Sequence, residues 1–164
     1  MPSAIHHFAI LAPVPLEHLR SGAPVAEATG FVAFGTSKWE LFQQIDVDRE
    51  QAPIPVLIYP SDQDIPASTG LKVSWFGWYV GHVHSKVGSH PNGMTHRPPS
   101  TEQYPADNLG HWAAFWHVRG LRQLAPEKHL SISKVPTIKG GWRKAAPPRG
   151  PELVALPDSL STET

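Results

Sequence analysis

Residues 72–84 read KVSWFGWYVGHVH, and this stretch decides the fold class. Aromatic and β-branched side chains alternate along it with small or polar ones, which is typical of a strand in a sheet. A second aromatic run, HWAAFWHVRGLRQL (111–124), has the same character, and IPVLIY (54–59) is a short apolar run bracketed by proline. The three runs predict the central strands of a mainly β protein.

Shorter elements flank these strands. IHHFAIL (5–11), FVAF (31–34) and ELVAL (152–156) predict further short strands. PLEHLRS (15–21) predicts one short helix that stops at the glycine after it, and the apolar set within residues 39–45 fits either a short helix or an amphipathic edge. We therefore expect an α+β, mainly β fold: an open β-barrel of five or six strands with one or two short peripheral helices.

Composition limits the class of protein. The 164 residues suit one domain, which we place at 1–158, with a frayed tail at 159–164. Lys and Arg total 14, as do Asp and Glu, so strong electrostatic binding to nucleic acid is not expected. Cysteine is absent, and we see no membrane span or signal peptide, which together favour a cytoplasmic protein. We expect no cofactor and no membrane partner.

Residues 81–96, GHVHSKVGSHPNGMTH, hold four histidines. Alternation along a strand places His82 and His84 on one face, where two imidazoles could bind zinc. Strand-end histidines beside a polar loop are more often hydrogen-bonded than ligated, so a metal-dependent hydrolase is our alternative hypothesis. A second alternative is a protein-interaction module that uses the long loop at 85–110. The third metal ligand would be His90, His96 or Asp107.

The order of four segments carries a resemblance to a known superfamily. They are AILAPVPLEHLRSG (9–22), PVLIYPSDQDIPASTGLKVSWFGWYVGHV (55–83), WAAFWHVRGLRQLAPEKHLSISKV (112–135) and KGGWRKAAPPRGPELVALPD (139–158). In this order they resemble the PUA-like superfamily, which contains the ASCH and EVE modules. The resemblance covers most of residues 5–158. It implies a PUA-like barrel that binds nucleic acid and accepts a modified or flipped base in a cavity of the barrel.

A base pocket needs a flat aromatic wall, small polar groups for the base edge and cations for phosphate. Trp39 is the foremost aromatic candidate, because it follows a GTSK turn that can expose its ring. The other aromatic candidates are Tyr59, Trp78 and Trp112. The polar candidates are Thr36, Ser37 and Ser61, and the cationic ones are Lys38, Lys86, Arg97, Arg143, Lys144 and Arg149.

The sequence thus predicts a nucleic-acid-binding module with no catalytic role of its own. RNA and DNA remain open as partners, as do the modification on the base and the oligomeric state. The balanced charge predicts local and modest binding.

Overall fold

The computed structural model describes residues 8–61, 71–142 and 150–164, and its main feature is a six-stranded sheet. The strands within these ranges are β1 Phe8–Val14, β2 Val32–Thr36, β3 Ile54–Pro60, β4 Lys72–Val73, β5 Trp75–His84, β6 Ala114–Gln123, β7 Leu130–Ser131 and β8 Glu152–Ala155.

The sheet has the order β2-β6-β5-β3-β1-β8, and β4 pairs separately with β7. Among the described strands of this sheet, β1 and β3 run parallel and the other neighbouring pairs are antiparallel. The expectation of a mixed, mainly β fold with few helices is confirmed. The strand order is open, with β2 and β8 at the two edges, so the described residues form no closed barrel and the PUA-like barrel stays a prediction.

In the described part of the chain, three α-helices accompany the sheet: α1 Leu16–Thr29, α2 Trp39–Asp48 and α3 Pro105–Asn108. The prediction that the first helix stops at Gly22 is wrong, because α1 continues to Gly30, whose φ of 99° ends it. Gly22 instead allows close packing: a Cβ there would lie 3.1 Å from a methyl group of Val32. Of the two readings for residues 39–45, the helix is correct. No helix in the described ranges is long and apolar enough to cross a membrane.

Both faces of the sheet carry apolar cores. The first core lies between the sheet and the helices and contains Leu19, Phe42 and Trp116. The second contains Leu57 and the fully buried Leu160. The prediction of a frayed tail at 159–164 is therefore wrong, since residues Asp158–Glu163 form a 3₁₀ turn that inserts Leu160 into the second core.

The segment 85–110, which the sequence predicted as a long loop without deciding whether it is ordered, is packed and partly regular. It contains a 3₁₀ turn at Pro99–Gln103, followed by α3. It also covers the free edge of β2, because the N–H of Ala33 donates to the carbonyl of His96 and the guanidinium of Arg97 donates to the carbonyl of Ala33, both at 2.7 Å. The edge strand is thereby protected from pairing with another chain.

Candidate functional site

Two adjoining cavities open where the edges of the sheet approach each other. Their volumes are about 190 Å³ and 180 Å³, and we call them the inner and the outer cavity of the Trp112 cleft. Both are lined by Pro13 of β1, Gly35 of β2, Trp112 and Pro151. Since β2 is one edge strand and Pro151 immediately precedes the other, the sheet curls until both edges border one cleft. Lys38 links the edges: its Nζ donates to the carbonyl of Pro151 at 3.1 Å.

The indole of Trp112 lies directly on Gly35. A Cβ at residue 35 would come within 2.3 Å of Cδ1 of Trp112, so only glycine leaves room for the ring at this distance. The indole Nε1 donates to Oδ1 of Asp107 at 3.2 Å. The ring is therefore held on its flat side by a backbone and at its edge by a carboxylate, which makes it a fixed aromatic wall for both cavities.

The inner cavity also has a polar wall, formed in part by His18 and Asp107. His18 is 8% exposed, and a 2.6 Å hydrogen bond joins its Nδ1 to the hydroxyl of Ser100. Its Nε2 lies 3.5 Å from Oδ2 of Asp107. The hydrogen bond to Ser100 fixes the orientation of the His18 imidazole, so its Nε2 is directed toward the carboxylate of Asp107.

Arg97 is the cation of the inner cavity and is only 2% exposed. Its Nε donates to Oδ1 of Asn108 and its Nη2 to the carbonyl of Asp107, each at 2.9 Å, while Nη1 holds Ala33 as described above. No carboxylate in the described ranges lies within 4.0 Å of these nitrogens. Burial lowers the pKa of Arg97 to about 10, against the effect of Asp107, so the group stays charged at neutral pH. Arg97 was predicted as a phosphate contact in or near a loop, whereas the structure buries it in the cavity wall.

Four of the sequence-predicted residues come together at the outer cavity, in addition to Arg97 at the inner one. They are Thr36, Ser37, Lys38 and Trp112. Thr36 is buried, and its hydroxyl accepts from the backbone N–H of Lys38 at 3.0 Å, which shapes the turn between β2 and α2. The lining of the outer cavity therefore comes from two strand ends. The end of β2 supplies Thr36, Ser37 and Lys38, and the segment just before β6 supplies Trp112.

The other predicted residues lie elsewhere. Trp39 begins α2, is 36% exposed, and has its ring 5.8 Å from that of His84. Tyr59 is 1% exposed within the second core, against which Trp78 also packs, so neither ring reaches the cleft. Ser61 is exposed at the end of β3, and its N–H donates to Val14. Lys86 is exposed in the 85–110 segment, and Arg143, Lys144 and Arg149 lie outside the described residues.

His82 belongs to a separate polar cluster centred on Asp46. Its Nδ1 lies 2.6 Å from Oδ2 of Asp46, while the Tyr79 hydroxyl and Arg49 Nε donate to Oδ1 at 2.9 and 2.6 Å. Burial alone would raise the pKa of Asp46, but these hydrogen bonds outweigh it and hold the pKa below its usual range. Burial, reinforced by the carboxylate, raises the pKa of Tyr79.

His90 lies on the other face of the sheet, where its Nε2 is 3.1 Å from Nε2 of His117. In the register of β5 and β6, His82 lies opposite Trp116. The next residue of β6, His117, points to the opposite face of the sheet, so His90, which contacts His117, is on the other side from His82. Burial is the largest cause that lowers the pKa of His90 to about 4 and that of His117 to about 3, and the neighbouring histidines contribute further, together with Arg97 in the case of His90. The predicted His82, His84 and His90 metal set is thus not brought together. Within the described ranges no three His, Asp or Glu side chains form a group that could hold a metal ion.

Sequence reasoning missed His18 as a site residue and considered Asp107 only as a metal ligand. Neither belongs to a motif, and His18 and Ser100 are 82 positions apart in the chain. Comparison of the chain with models of known protein families and with curated proteins gives no match. The geometry of the cleft is therefore the basis for assigning a function.

Proposed function

We propose that the chain binds nucleic acid by holding one unstacked base in the Trp112 cleft. The observation that carries this proposal is the indole of Trp112, fixed flat on Gly35 where the two cavities meet. Stacking of a base on an aromatic ring contributes about 1–3 kcal/mol. The inner cavity, at about 190 Å³, is smaller than the roughly 300–1,000 Å³ of pockets for drug-sized ligands, which suits a single heterocycle.

The charges around the cleft favour contacts with a few phosphates of the bound nucleic acid. Lys38 lines the outer cavity, and after its bond to Pro151 its ammonium group keeps two further N–H donors for a phosphate. The formal net charge of the chain is zero, so few phosphates are contacted. We therefore expect a shallow salt dependence, with a slope of about −0.7 in log K against log salt for each phosphate contacted on a single strand.

The test compares two tryptophan variants by fluorescence anisotropy with labelled single-stranded oligonucleotides. Trp112→Ala removes the proposed wall and should weaken binding about 5- to 150-fold, which corresponds to about 1–3 kcal/mol. Trp39→Ala is the matched control, because Trp39 is also partly exposed but lines neither cavity. Equal losses in both variants, or no binding by the wild-type chain, would contradict the proposal.

The alternative hypothesis, a metal-dependent activity, has two candidate ligands, His82 and His84, and no third among the described residues. The carboxylate of Asp46 holds Nδ1 of His82, which leaves Nε2 as the ligand atom, and the ring of His84 lies 5.6 Å from that of His82. A carboxylate behind a ligating histidine is a common feature of metal sites. Elemental analysis of the tag-free protein tests this candidate. One zinc per chain that is lost in a His82→Ala/His84→Ala variant would support it, and zinc-free protein would reject it.

A further inference from the structure

We propose that His90 and His117 form an acid-sensitive latch that holds the 85–110 segment against the sheet. The two imidazoles come from different parts of the fold, since His90 lies in the segment and His117 on β6. Their Nε2 atoms lie 3.1 Å apart, and His90 is buried. The inference goes beyond the proposed function, because the latch does not depend on what the cleft binds.

The hydrogen bonds of the two rings fix where their protons lie. The backbone N–H of Asn92 donates to Nδ1 of His90 at 3.0 Å, so this nitrogen carries no hydrogen. A neutral imidazole has one N–H, and that of His90 is therefore on Nε2, where it donates to His117. Because Nε2 of His117 accepts, the hydrogen of this ring is on Nδ1. The closed segment thus requires two neutral rings.

A proton added to either ring meets another N–H group. On Nε2 of His117 it would face the Nε2–H of His90, and on Nδ1 of His90 it would face the backbone N–H of Asn92. A buried donor that loses its acceptor destabilises the state that buries it, and a buried charge does so more strongly. Protonation therefore favours separation of the segment from β6.

The surrounding charges act mainly in the same direction. The titratable and charged groups that face one or both rings are His96 and Arg97 of the segment, His82 of β5 and Asp46 of α2. Of these four, Asp46 alone favours a positive charge, and it does so at His117. Burial is the largest effect, and together with these neighbours it holds the pKa of His90 at about 4 and that of His117 at about 3.

Release of the segment would also take the inner cavity apart. The carbonyl of His96 and the guanidinium of Arg97 bind Ala33 on the edge of β2, and both belong to the segment that His90 holds. Arg97 and Asp107, which line the inner cavity, belong to it as well. Acid therefore uncovers the sheet edge and removes the polar wall of the cavity together, and neutral pH restores both.

The first test reads the two tautomers by NMR of ¹⁵N-labelled histidine in the wild-type chain near neutral pH. The latch requires the hydrogen on Nε2 in His90 and on Nδ1 in His117. The opposite tautomer in either ring, or a cationic ring, would overturn the proposal. This measurement needs no substitution, so it remains decisive where a variant does not fold.

The second test compares amide hydrogen exchange of the wild-type chain and a His117→Gln variant at about pH 7 and about pH 5. Glutamine keeps an oxygen that accepts from the Nε2–H of His90, but it takes up no proton. Release that restores the ordinary pKa of 6.5 to one histidine favours the open segment by about 20-fold between these two pH values.

Two amide groups report the result. The N–H of Ala33 donates to the carbonyl of His96 and is freed when the segment leaves. The N–H of Leu124, in the second core, donates to the carbonyl of Ser74 and reports unfolding of the sheet. We expect Ala33 to be less protected than Leu124 at the lower pH. Between the two pH values its protection should fall about 20-fold less in His117→Gln than in the wild-type chain.

Two outcomes would overturn the latch. Equal protection of Ala33 and Leu124 at both pH values would mean that the segment leaves only when the sheet unfolds. An equal fall in the protection of Ala33 in both proteins would mean that His117 takes no part. Neither result bears on base binding in the Trp112 cleft, since no nucleic acid is present in the measurement.

Discussion

Substitution of Gly35 by alanine gives the sharpest test of how the Trp112 cleft is built. An ideal Cβ at this position lies 2.3 Å from Cδ1 of Trp112, whereas ordinary contacts begin at 3.4 Å. The indole must therefore move by about 1.1 Å, the difference between these two distances. Because Nε1 of the same ring donates to Asp107 at 3.2 Å, a shift of this size also weakens or breaks that hydrogen bond.

The expected cost follows from three effects on the free energy of unfolding. Overpacking costs about 1–3 kcal/mol, and the loss of the Trp112 hydrogen bond costs about 0.5–1.5 kcal/mol. Replacing glycine in a strand gives back about 0.5–1 kcal/mol, because alanine loses less backbone entropy on folding. We expect a net loss of about 1–3 kcal/mol, and in a domain of this size each kcal/mol lowers Tm by about 2–4 °C.

Urea unfolding of a double-mutant cycle measures whether this cost comes from the indole. Gly35→Ala is compared in the wild-type chain and in Trp112→Ala, where the substitution should become neutral or slightly stabilising, giving a coupling of about 1 kcal/mol or more. Gly77→Ala is the matched control: its Cβ would meet Val118 at 2.5 Å, so it should cost the same in both backgrounds. An equal cost of Gly35→Ala in both backgrounds would refute the contact between residue 35 and the indole.

Two further predictions concern buried polar groups. Arg97→Met should lower the free energy of unfolding by about 3 kcal/mol or more, because three acceptors lose their donor; Lys86→Met, at an exposed cation, should change it by less than about 0.5 kcal/mol. Urea titration distinguishes the two results. His90 and His117 have folded pKa values of about 4 and about 3, below the unfolded value of 6.5. The unfolded chain therefore takes up protons first, so stability is constant above about pH 6.5 and falls as the pH decreases toward 4. A His117→Phe variant should show a weaker fall, and a pH profile identical to that of the wild-type chain would contradict the pKa assignment.

The strands could be predicted from the sequence because alternation along them is a local signal. Residues 72–84 and 111–124 contain β5 and β6, and 54–59 coincides with most of β3. The end of α1 could not be predicted, because Gly22 has two possible roles that only packing distinguishes. In one role Gly22 would end the helix. In the other, which the structure shows, its missing side chain permits close contact between α1 and Val32 of β2.

The outer cavity was partly predictable for the same reason. Thr36, Ser37 and Lys38 follow a strand directly, and Trp112 precedes one, so placing the strands also places these residues at strand ends. The sequence favoured Trp39 over Trp112, because Trp39 follows the GTSK turn, but Trp112 is the ring that lines both cavities. The decision depends on Gly35, whose missing side chain admits one ring and not the other.

The inner cavity could not be predicted, because its polar wall arises from long-range packing of the 85–110 segment. Arg97 binds Ala33, 64 positions earlier in the chain, and the neighbouring backbone of His96 binds the same residue. These contacts cover the edge of β2, and they also deliver Arg97 and Asp107 to the cavity. Protection of the sheet edge and assembly of the cleft therefore depend on the same hydrogen bonds. A substitution that loosens the segment from β2 must then disturb both, even where it lies far from Trp112.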